Sequence, residues 1–167
     1  MFKIYTHPAC LRHDTGPGHL ERAGRLETLL GLFNEMDIET APAREAEMEE
    51  LLRAHPQKYI DAVQNAIPDH GYAALDPDTV VSPGSWDAAL HAAGAVCQAV
   101  DDVLSSRCTR AFCAVRPPGH HAFPDRFEGF CIFSNIAIGA LHALKKVNRV
   151  AIVDFDVHHG DGTDAIA

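Results

Sequence analysis

The sequence predicts an α/β fold in three layers, with a mainly parallel sheet between two layers of helices. Short apolar runs alternate with segments of helical period, and the runs at 111–115 and 150–153 are apolar throughout. Strands buried on both faces have this character, and strands that alternate with helices form parallel sheets. A chain of 167 residues is long enough to bury a core. We therefore expect residues 1–167 to form a single domain.

The first half of the chain is predicted to contain two strands and three helices. Phe2–Thr6 is short, apolar and aromatic, which is typical of a strand, and a loop rich in Gly, Pro and His follows it. Apolar residues at i, i+3, i+4 and i+7 predict a helix from Glu21 to about Met36. A short second strand is expected at 38–40, and two more helices are expected at 45–54 and 57–67.

The second half is predicted to contain two buried strands, each followed by a polar loop. A polar loop at 68–84 leads to a long Ala-rich helix from Ser85 to Leu104, with Ser85 as its N-terminal cap. The run at 111–115 suits a central strand. A helix should carry Ile132, Ile136 and Leu144, and a second buried strand is expected at 149–154.

Composition excludes several classes of protein. Asp and Glu outnumber Lys and Arg by 23 to 14, and the net charge of -9 argues against binding nucleic acid through its phosphates. No apolar run approaches the roughly 18 residues needed to cross a bilayer, so we expect no contact with membranes. The five cysteines are scattered and form no CxxC pair, which favours reduced thiols and a cytoplasmic location.

Histidines are clustered where an α/β sheet usually binds its ligands. The chain has 11 histidines, and the tandem pairs at 120–121 and 158–159 each follow a predicted buried strand. Ligands of open α/β sheets bind at the carboxyl ends of the strands. These positions therefore predict a functional site at that edge.

The segment from Asp154 to His158 has the pattern of a metal site. In extended backbone Asp154, Asp156 and His158 point the same way, and a carboxylate with an imidazole suits Zn²⁺ or a similar ion. The alternative is a polar loop in which Asp154 and Asp156 cap the following turn. The GxSxG elbow of a serine hydrolase is absent, whereas a cysteine nucleophile at Cys131 stays open.

Three blocks of the sequence are distinctive: RPPGHHA at 116–122, GFC at 129–131 and DFDVHHGDGT at 154–163. They resemble the signature blocks of the histone deacetylase superfamily, which also contains acetylpolyamine amidohydrolases and bacterial deacetylase-like amidohydrolases. Weaker blocks agree at 7–13, 21–26, 76–79 and 82–85, closest to the class II and bacterial branches. The resemblance implies an arginase/deacetylase-like fold and a hydrolase that removes acetyl groups from acetyl-lysine or acetylated polyamines.

The resemblance also implies a metal centre with two histidines beside it. Asp156 and His158 match two of the three zinc ligands of the family, with Fe²⁺ as the alternative metal. Asp154, with main-chain oxygens of 156 and 158, matches a structural potassium site. His120 and His121 match the tandem active-site pair, which would be backed by two aspartates, Asp154 and Asp161 respectively.

Roles in chemistry and substrate binding follow from the same resemblance. His121 would take a proton from metal-activated water and return it to the departing amine, although the choice of principal base between the two histidines stays open. Phe130 matches a wall of the acyl-lysine tunnel and Gly129 lies at its rim. Asp78 is similar to the rim aspartate that holds the substrate backbone, with Asp76 as the weaker choice.

The sequence departs from the family pattern at two places. Leu20 stands where a proline is usual, and the chain ends at Ala167, before the family's third zinc ligand and its carbonyl-polarising tyrosine. We therefore expect a truncated domain without its carboxyl-terminal part, in which an uncovered sheet edge favours association, including homo-oligomers. The favoured hypothesis is the amino-terminal part of a zinc-dependent deacetylase. The alternative is a catalytically inactive chain that acts as a binding or interaction module.

Overall fold

The computed structural model describes the whole chain, residues 1–167, as a small sheet surrounded by helices. In chain order the elements are β1 (Phe2–Thr6), α1 (Ala9–Arg12), α2 (Ala23–Glu35), β2 (Ala41–Pro42), α3 (Met48–Leu51), α4 (Gln57–Ala66), β3 (Ala73–Ala74), β4 (Val80–Val81), α5 (Ser85–Leu104), β5 (Arg110–Cys113), α6 (Asn135–Ala143) and α7 (Asp161–Ile166). None of these helices combines the length and apolar character that crossing a membrane requires.

The main sheet has three strands in the order β2-β1-β5, and both pairings are parallel. Strand β1 lies in the centre, where residues 2–5 pair with β5 and residues 5–6 pair with β2. Strands β3 and β4 form a separate antiparallel hairpin within the predicted loop at 68–84. Strand β2 lies at 41–42, just beyond the predicted 38–40.

Helices cover the sheet on both faces. Ile4 packs with Leu26 of α2 on one face, whereas Tyr5 packs with Ala95 and Ala99 of α5 on the other. Successive side chains of a strand point to opposite faces, so α2 and α5 form the two outer layers. The predicted three-layer α/β fold is confirmed.

The long helix α5 has the predicted bounds, but its first residue does not act as the cap. Gly84 occupies the N-cap position, and the Ser85 hydroxyl contacts the Ser82 amide and the His13 ring instead. A Cβ atom on Gly94 would lie 2.2 Å from the main-chain oxygen of Arg44. The small residues of α5 therefore allow it to lie directly against the segment that follows β2.

Residues 149–154 do not form the predicted strand. No backbone hydrogen bond joins them to another segment, and Val153 is 82% exposed. An apolar run becomes a strand only where a neighbouring strand satisfies its backbone groups. Here Ile152 and Cys113 of β5 line a cavity of about 590 Å³ instead of pairing.

Strand β5 is consequently an edge strand rather than the predicted central one. Only β1 pairs with it, and Phe112 is 44% exposed. The prediction of burial on both faces is therefore wrong for this strand. Its apolar side chains face an open groove of about 530 Å³ that α5 and α6 also line.

Candidate active site

The loop that carries the first histidine pair is anchored by a buried ion pair. Arg116 follows β5, and its Nε and Nη2 atoms each donate to a carboxylate oxygen of Glu21 at 2.6 Å. Its Nη1 atom donates to the main-chain oxygen of Cys10 at 2.8 Å. Both charged residues are almost fully buried. Such a bidentate contact fixes the loop relative to α1 and the start of α2.

A buried histidine completes this anchor. The Nδ1 atom of His13 lies 2.7 Å from the Ser85 hydroxyl, and its Nε2 atom lies 3.5 Å from the Glu21 carboxylate. Burial lowers the pKa of His13 to about 4, so the ring is neutral near pH 7. His13 therefore links α5 to the ion pair without adding a charge to the interior.

Each histidine of the first pair contacts an aspartate. The Nδ1 atom of His120 lies 2.9 Å from Asp154 Oδ2, and that of His121 lies 2.7 Å from Asp161 Oδ1. An ionised carboxylate can only accept a hydrogen bond, so Nδ1 carries the proton in both rings. The Nε2 atom of each neutral ring is left with its lone pair. The structure thus brings together the two pairs that the resemblance implies.

The aspartates of these pairs are held ionised. Hydrogen bonds from the Asp156 amide and then from His120 lower the pKa of Asp154. Burial acts to raise the pKa of Asp161, but hydrogen bonds from His121 and the Gly162 amide outweigh it and lower the pKa. Both carboxylates therefore stay charged over the pH range in which histidines titrate.

Close backbone packing holds Asp161 next to the histidine loop. A Cβ atom on Gly162 would lie 2.5 Å from the main-chain oxygen of Ala122, so only glycine fits there. The Thr163 amide donates to the main-chain oxygen of His120 at 3.0 Å. The start of α7 therefore lies directly on the loop that carries the histidine pair.

The two predicted zinc ligands lie next to each other on an exposed segment. Asp156 Oδ2 is 3.0 Å from His158 Nδ1, and their side chains are 47% and 72% exposed. Asp154 Oδ1 accepts from the Asp156 amide, and Asp156 Oδ2 accepts from the His158 amide. The turn-capping bonds of the alternative interpretation are therefore also present. The His158 amide and ring lower the pKa of Asp156.

The two aspartates of the hairpin loop at 76–79, Asp76 and Asp78, have different surroundings. Asp76 accepts hydrogen bonds from the amides of Asp78 and Thr79 and from the Thr79 hydroxyl, which closes the turn. Asp78 faces a cavity instead. Burial and the neighbouring Asp76 carboxylate raise the pKa of Asp78. The geometry thus separates a turn-forming aspartate from a cavity-lining one.

Glycine is required at 129 because the backbone passes close to a catalytic candidate. Gly129 has φ +57°, and a Cβ atom there would lie 2.4 Å from the His121 ring. Phe130 also has a positive φ, and its amide donates to the Thr79 hydroxyl at 3.1 Å. The His19 ring meets the Phe130 ring edge to face. These contacts join the β3–β4 hairpin, which carries Thr79, to the histidine pair.

One cavity of about 400 Å³ collects most of the candidate residues. Those that line it are Asp78, His120, His121, Gly129, Phe130, Asp156 and His158. Asp154 and Asp161 do not line the cavity and lie behind the histidines as their hydrogen-bond partners. Asp76 is absent from the lining.

Three further residues that line the cavity were not predicted as site residues. They are Leu20, Arg25 and Pro118. Pro118 lies inside the RPPGHHA block, which could have indicated it. Arg25 belongs to the first turns of α2 and lies within the weaker block at 21–26, which assigned it no role.

A cysteine nucleophile does not fit this site. Cys131 is fully buried, and burial raises the pKa of its thiol to about 12. A nucleophilic cysteine must be a thiolate that its substrate can reach. The chemistry that the cavity offers is therefore proton transfer by histidine beside a carboxylate–imidazole pair suited to a divalent metal.

Comparison with known proteins identifies the family of this chain. The histone deacetylase domain family matches residues 19–167. A histone deacetylase-like amidohydrolase of Pseudomonas aeruginosa is 40% identical over 161 residues, covering 95% of this chain and 42% of that protein. The polyamine deacetylase HDAC10 of Danio rerio is 39% identical over 128 residues, covering 72% of this chain and 19% of that protein.

A solved structure has the same fold. The HDA15 HD domain superposes with a TM-score of 0.92 at 32% identity, covering 99% of this chain and 50% of that one. The chain thus spans half or less of the length of these relatives. On the family match, the shared fold and the sequence identity, this chain belongs to the histone deacetylase family.

Proposed function

We propose that this chain provides the catalytic histidines and two metal ligands of a zinc-dependent deacetylase. The reaction is hydrolysis of the acetyl amide of acetyl-lysine or of an acetylated polyamine. The observation that supports it most is that His120 and His121, each bonded to an aspartate, share one cavity with Asp156 and His158. Proton-transfer groups beside metal-ligand side chains are what amide hydrolysis needs.

The donor set at 156 and 158 fits zinc. Asp156 offers a carboxylate oxygen and His158 an imidazole nitrogen 3.0 Å away, and no lysine or arginine forms a salt bridge with either. These would be two of the three protein ligands usual for a catalytic zinc, and Fe²⁺ would accept the same donors. A bound ion would polarise the acetyl carbonyl and lower the pKa of water.

The His121–Asp161 pair is suited to moving the proton in this reaction. Asp161 holds Nδ1–H of His121, so the Nε2 lone pair can accept a proton from water in the cavity. The same ring can then protonate the departing amine, which leaves poorly as an anion. His120 with Asp154 places a second ring 4.0 Å away, centroid to centroid, to stabilise nearby charge.

Residues at the cavity rim would hold the substrate. The Asp78 carboxylate can accept a hydrogen bond from a substrate amide or amine, and Phe130 offers an apolar wall to an aliphatic chain. Both classes of substrate are compatible with the names of the relatives. The excess of acidic residues favours cationic substrates over nucleic acid.

Asp154 is also proposed to help hold a structural potassium ion together with main-chain oxygens of 156 and 158. Its Oδ1 atom already accepts from the Asp156 amide, which draws this segment into a tight turn. We further place the protein in the cytoplasm, which suits its five free cysteines.

The test is hydrolysis of an acetyl-lysine peptide and of an acetylated diamine by the chain supplied with zinc. His121→Ala should lose about 10²–10⁴-fold in rate, because it removes a general acid/base. The matched control is His70→Ala, which changes an exposed histidine away from the cavity. Loss in the first variant alone supports the proposal.

Two results would overturn it. Equal rates in His121→Ala and the parent chain would remove the assigned role of this histidine. Peptide binding without turnover by a folded chain that also fails to bind zinc would identify a binding or interaction module instead of an enzyme.

A further inference from the structure

Outside the candidate active site, three side chains with metal-binding atoms converge. Glu45 follows β2, while Asp87 and His91 lie one turn apart on α5. His91 Nε2 is 3.3 Å from Asp87 Oδ1 and 3.7 Å from Glu45 Oε1. Two donors of one tetrahedral zinc are about 3.3 Å apart, since each lies about 2.0–2.1 Å from the ion.

The ring of His91 is oriented as in a metal ligand. Its Nδ1–H donates to the main-chain oxygen of Ala43 at 2.9 Å, so Nε2 is the ring atom that faces the two carboxylates and could bind a metal ion. The side chain is only 8% exposed, and Nε2 makes no hydrogen bond within the chain. The His7 ring stacks on it at 3.5 Å between centroids. Positive charge between Nε2 and the two carboxylates, supplied by a metal ion or by a proton on the ring, would satisfy all three groups.

A second cluster with similar residue types lacks this property. Glu50, Cys97 and His142 also converge, but Arg44 donates to both carboxylate oxygens of Glu50. Arg53 lies 2.7 Å from the Nδ1 atom of His142. The Glu50 carboxylate and the His142 ring of that cluster are therefore already engaged. At the first cluster, only Asp87 Oδ2 is occupied, by Arg12.

We propose that Glu45, Asp87 and His91 form a second site for a divalent transition metal of the zinc class. One nitrogen and two carboxylate oxygens favour Zn²⁺, Co²⁺ or Ni²⁺ over Mg²⁺ and Ca²⁺, which prefer all-oxygen sites. The site would fasten the segment after β2 to α5. It is a structural site and does not depend on Asp156 or His158.

The experiment measures Zn²⁺ and Co²⁺ binding to the untagged, metal-free chain carrying Asp156→Ala and His158→Ala. Calorimetry should find one strong site per chain, and bound Co²⁺ should give a visible absorption band. Adding Glu45→Gln or Asp87→Asn should weaken binding about tenfold or more, because each removes a charged ligand. Both variants keep side-chain size, and thermal unfolding checks that they fold.

Two further variants sharpen the test. Arg12→Gln should tighten binding, because it releases the second carboxylate oxygen of Asp87 from its ion pair. Glu39→Gln removes an exposed carboxylate without a salt-bridge partner and should leave affinity unchanged. Absence of a strong site, or equal affinity in Glu45→Gln, Asp87→Asn and Glu39→Gln, would overturn the proposal. Neither result would affect the proposed deacetylase, since its ligands are already removed.

Discussion

The two loops that carry the candidate site are held in opposite ways. The loop at 116–122 is anchored by a buried ion pair between Arg116 and Glu21. The segment at 149–158 has no backbone hydrogen bonds to other segments, and Phe155 within it is 97% exposed. The hydrogen bond between the His120 ring and the Asp154 carboxylate attaches this segment to the histidine loop. The histidine loop is therefore the scaffold on which the segment with the proposed metal ligands depends.

The largest expected effect comes from breaking the anchor of the first loop. Glu21→Gln leaves the Arg116 guanidinium buried without a counter-charge, which should lower the free energy of unfolding by about 3–5 kcal/mol. Asp156→Asn, on the exposed segment, should leave it unchanged within error. Urea unfolding of both variants checks this difference. Equal stability of the two variants would mean that the ion pair does not anchor the fold.

The second largest effect should be a loss of folding stability in acid, because buried histidines must then bind protons. His55 donates from Nδ1 to the Pro124 main-chain oxygen and accepts at Nε2 from the Ser134 amide, so its neutral form is fully paired. Burial lowers the pKa of His55 from 6.5 to about 4. The unfolded chain therefore binds this proton first as the pH falls, and stability drops between pH 6.5 and about 4.

The size of this effect is about 3 kcal/mol from His55, with a similar contribution from His13. His55→Gln can keep both hydrogen bonds but cannot titrate, so its stability should fall less steeply between these pH values. Denaturant unfolding at a series of pH values measures the two slopes. Parallel curves for the variant and the parent chain would exclude His55 as the source.

A smaller effect is expected where the rim meets the histidine pair. Gly129→Ala should cost roughly 1–3 kcal/mol, because the added Cβ atom overlaps the His121 ring. Gly71→Ala is the matched control, since its φ is +68° but nothing lies within 4 Å of the added atom. The difference in unfolding free energy between the two isolates the contact with His121. Equal costs would show that backbone strain alone is responsible.

Local pattern predicted the elements that depend on their own sequence. The bounds of α5 follow from its period and its small residues, and the α/β order follows from alternation. The same reasoning failed at 149–154, because an apolar run does not reveal whether a neighbouring strand exists to pair with it. It also could not assign β5 to an edge, for the same reason.

The candidate site also has a part that local sequence predicts and a part that depends on how distant segments pack. The residues that line the cavity lie mostly within short blocks of distinctive sequence, such as RPPGHHA, and could be named in advance. The contact between Glu21 and Arg116 joins positions 95 residues apart, and no local signal pairs them. The same holds for Arg25, whose place on the cavity wall depends on how α2 packs.

The most direct test of the proposed metal centre is an NMR titration of the isotope-labelled chain with zinc, in which the signals of the imidazole nitrogens are followed. We predict that the His158 signals shift on binding, that the His120 and His121 signals respond to the nearby charge, and that those of His70 stay still. Asp156→Asn should weaken the His158 response. An unmoved His158 at zinc concentrations high enough to shift even the exposed His70 would contradict the assignment of a metal site to this cavity.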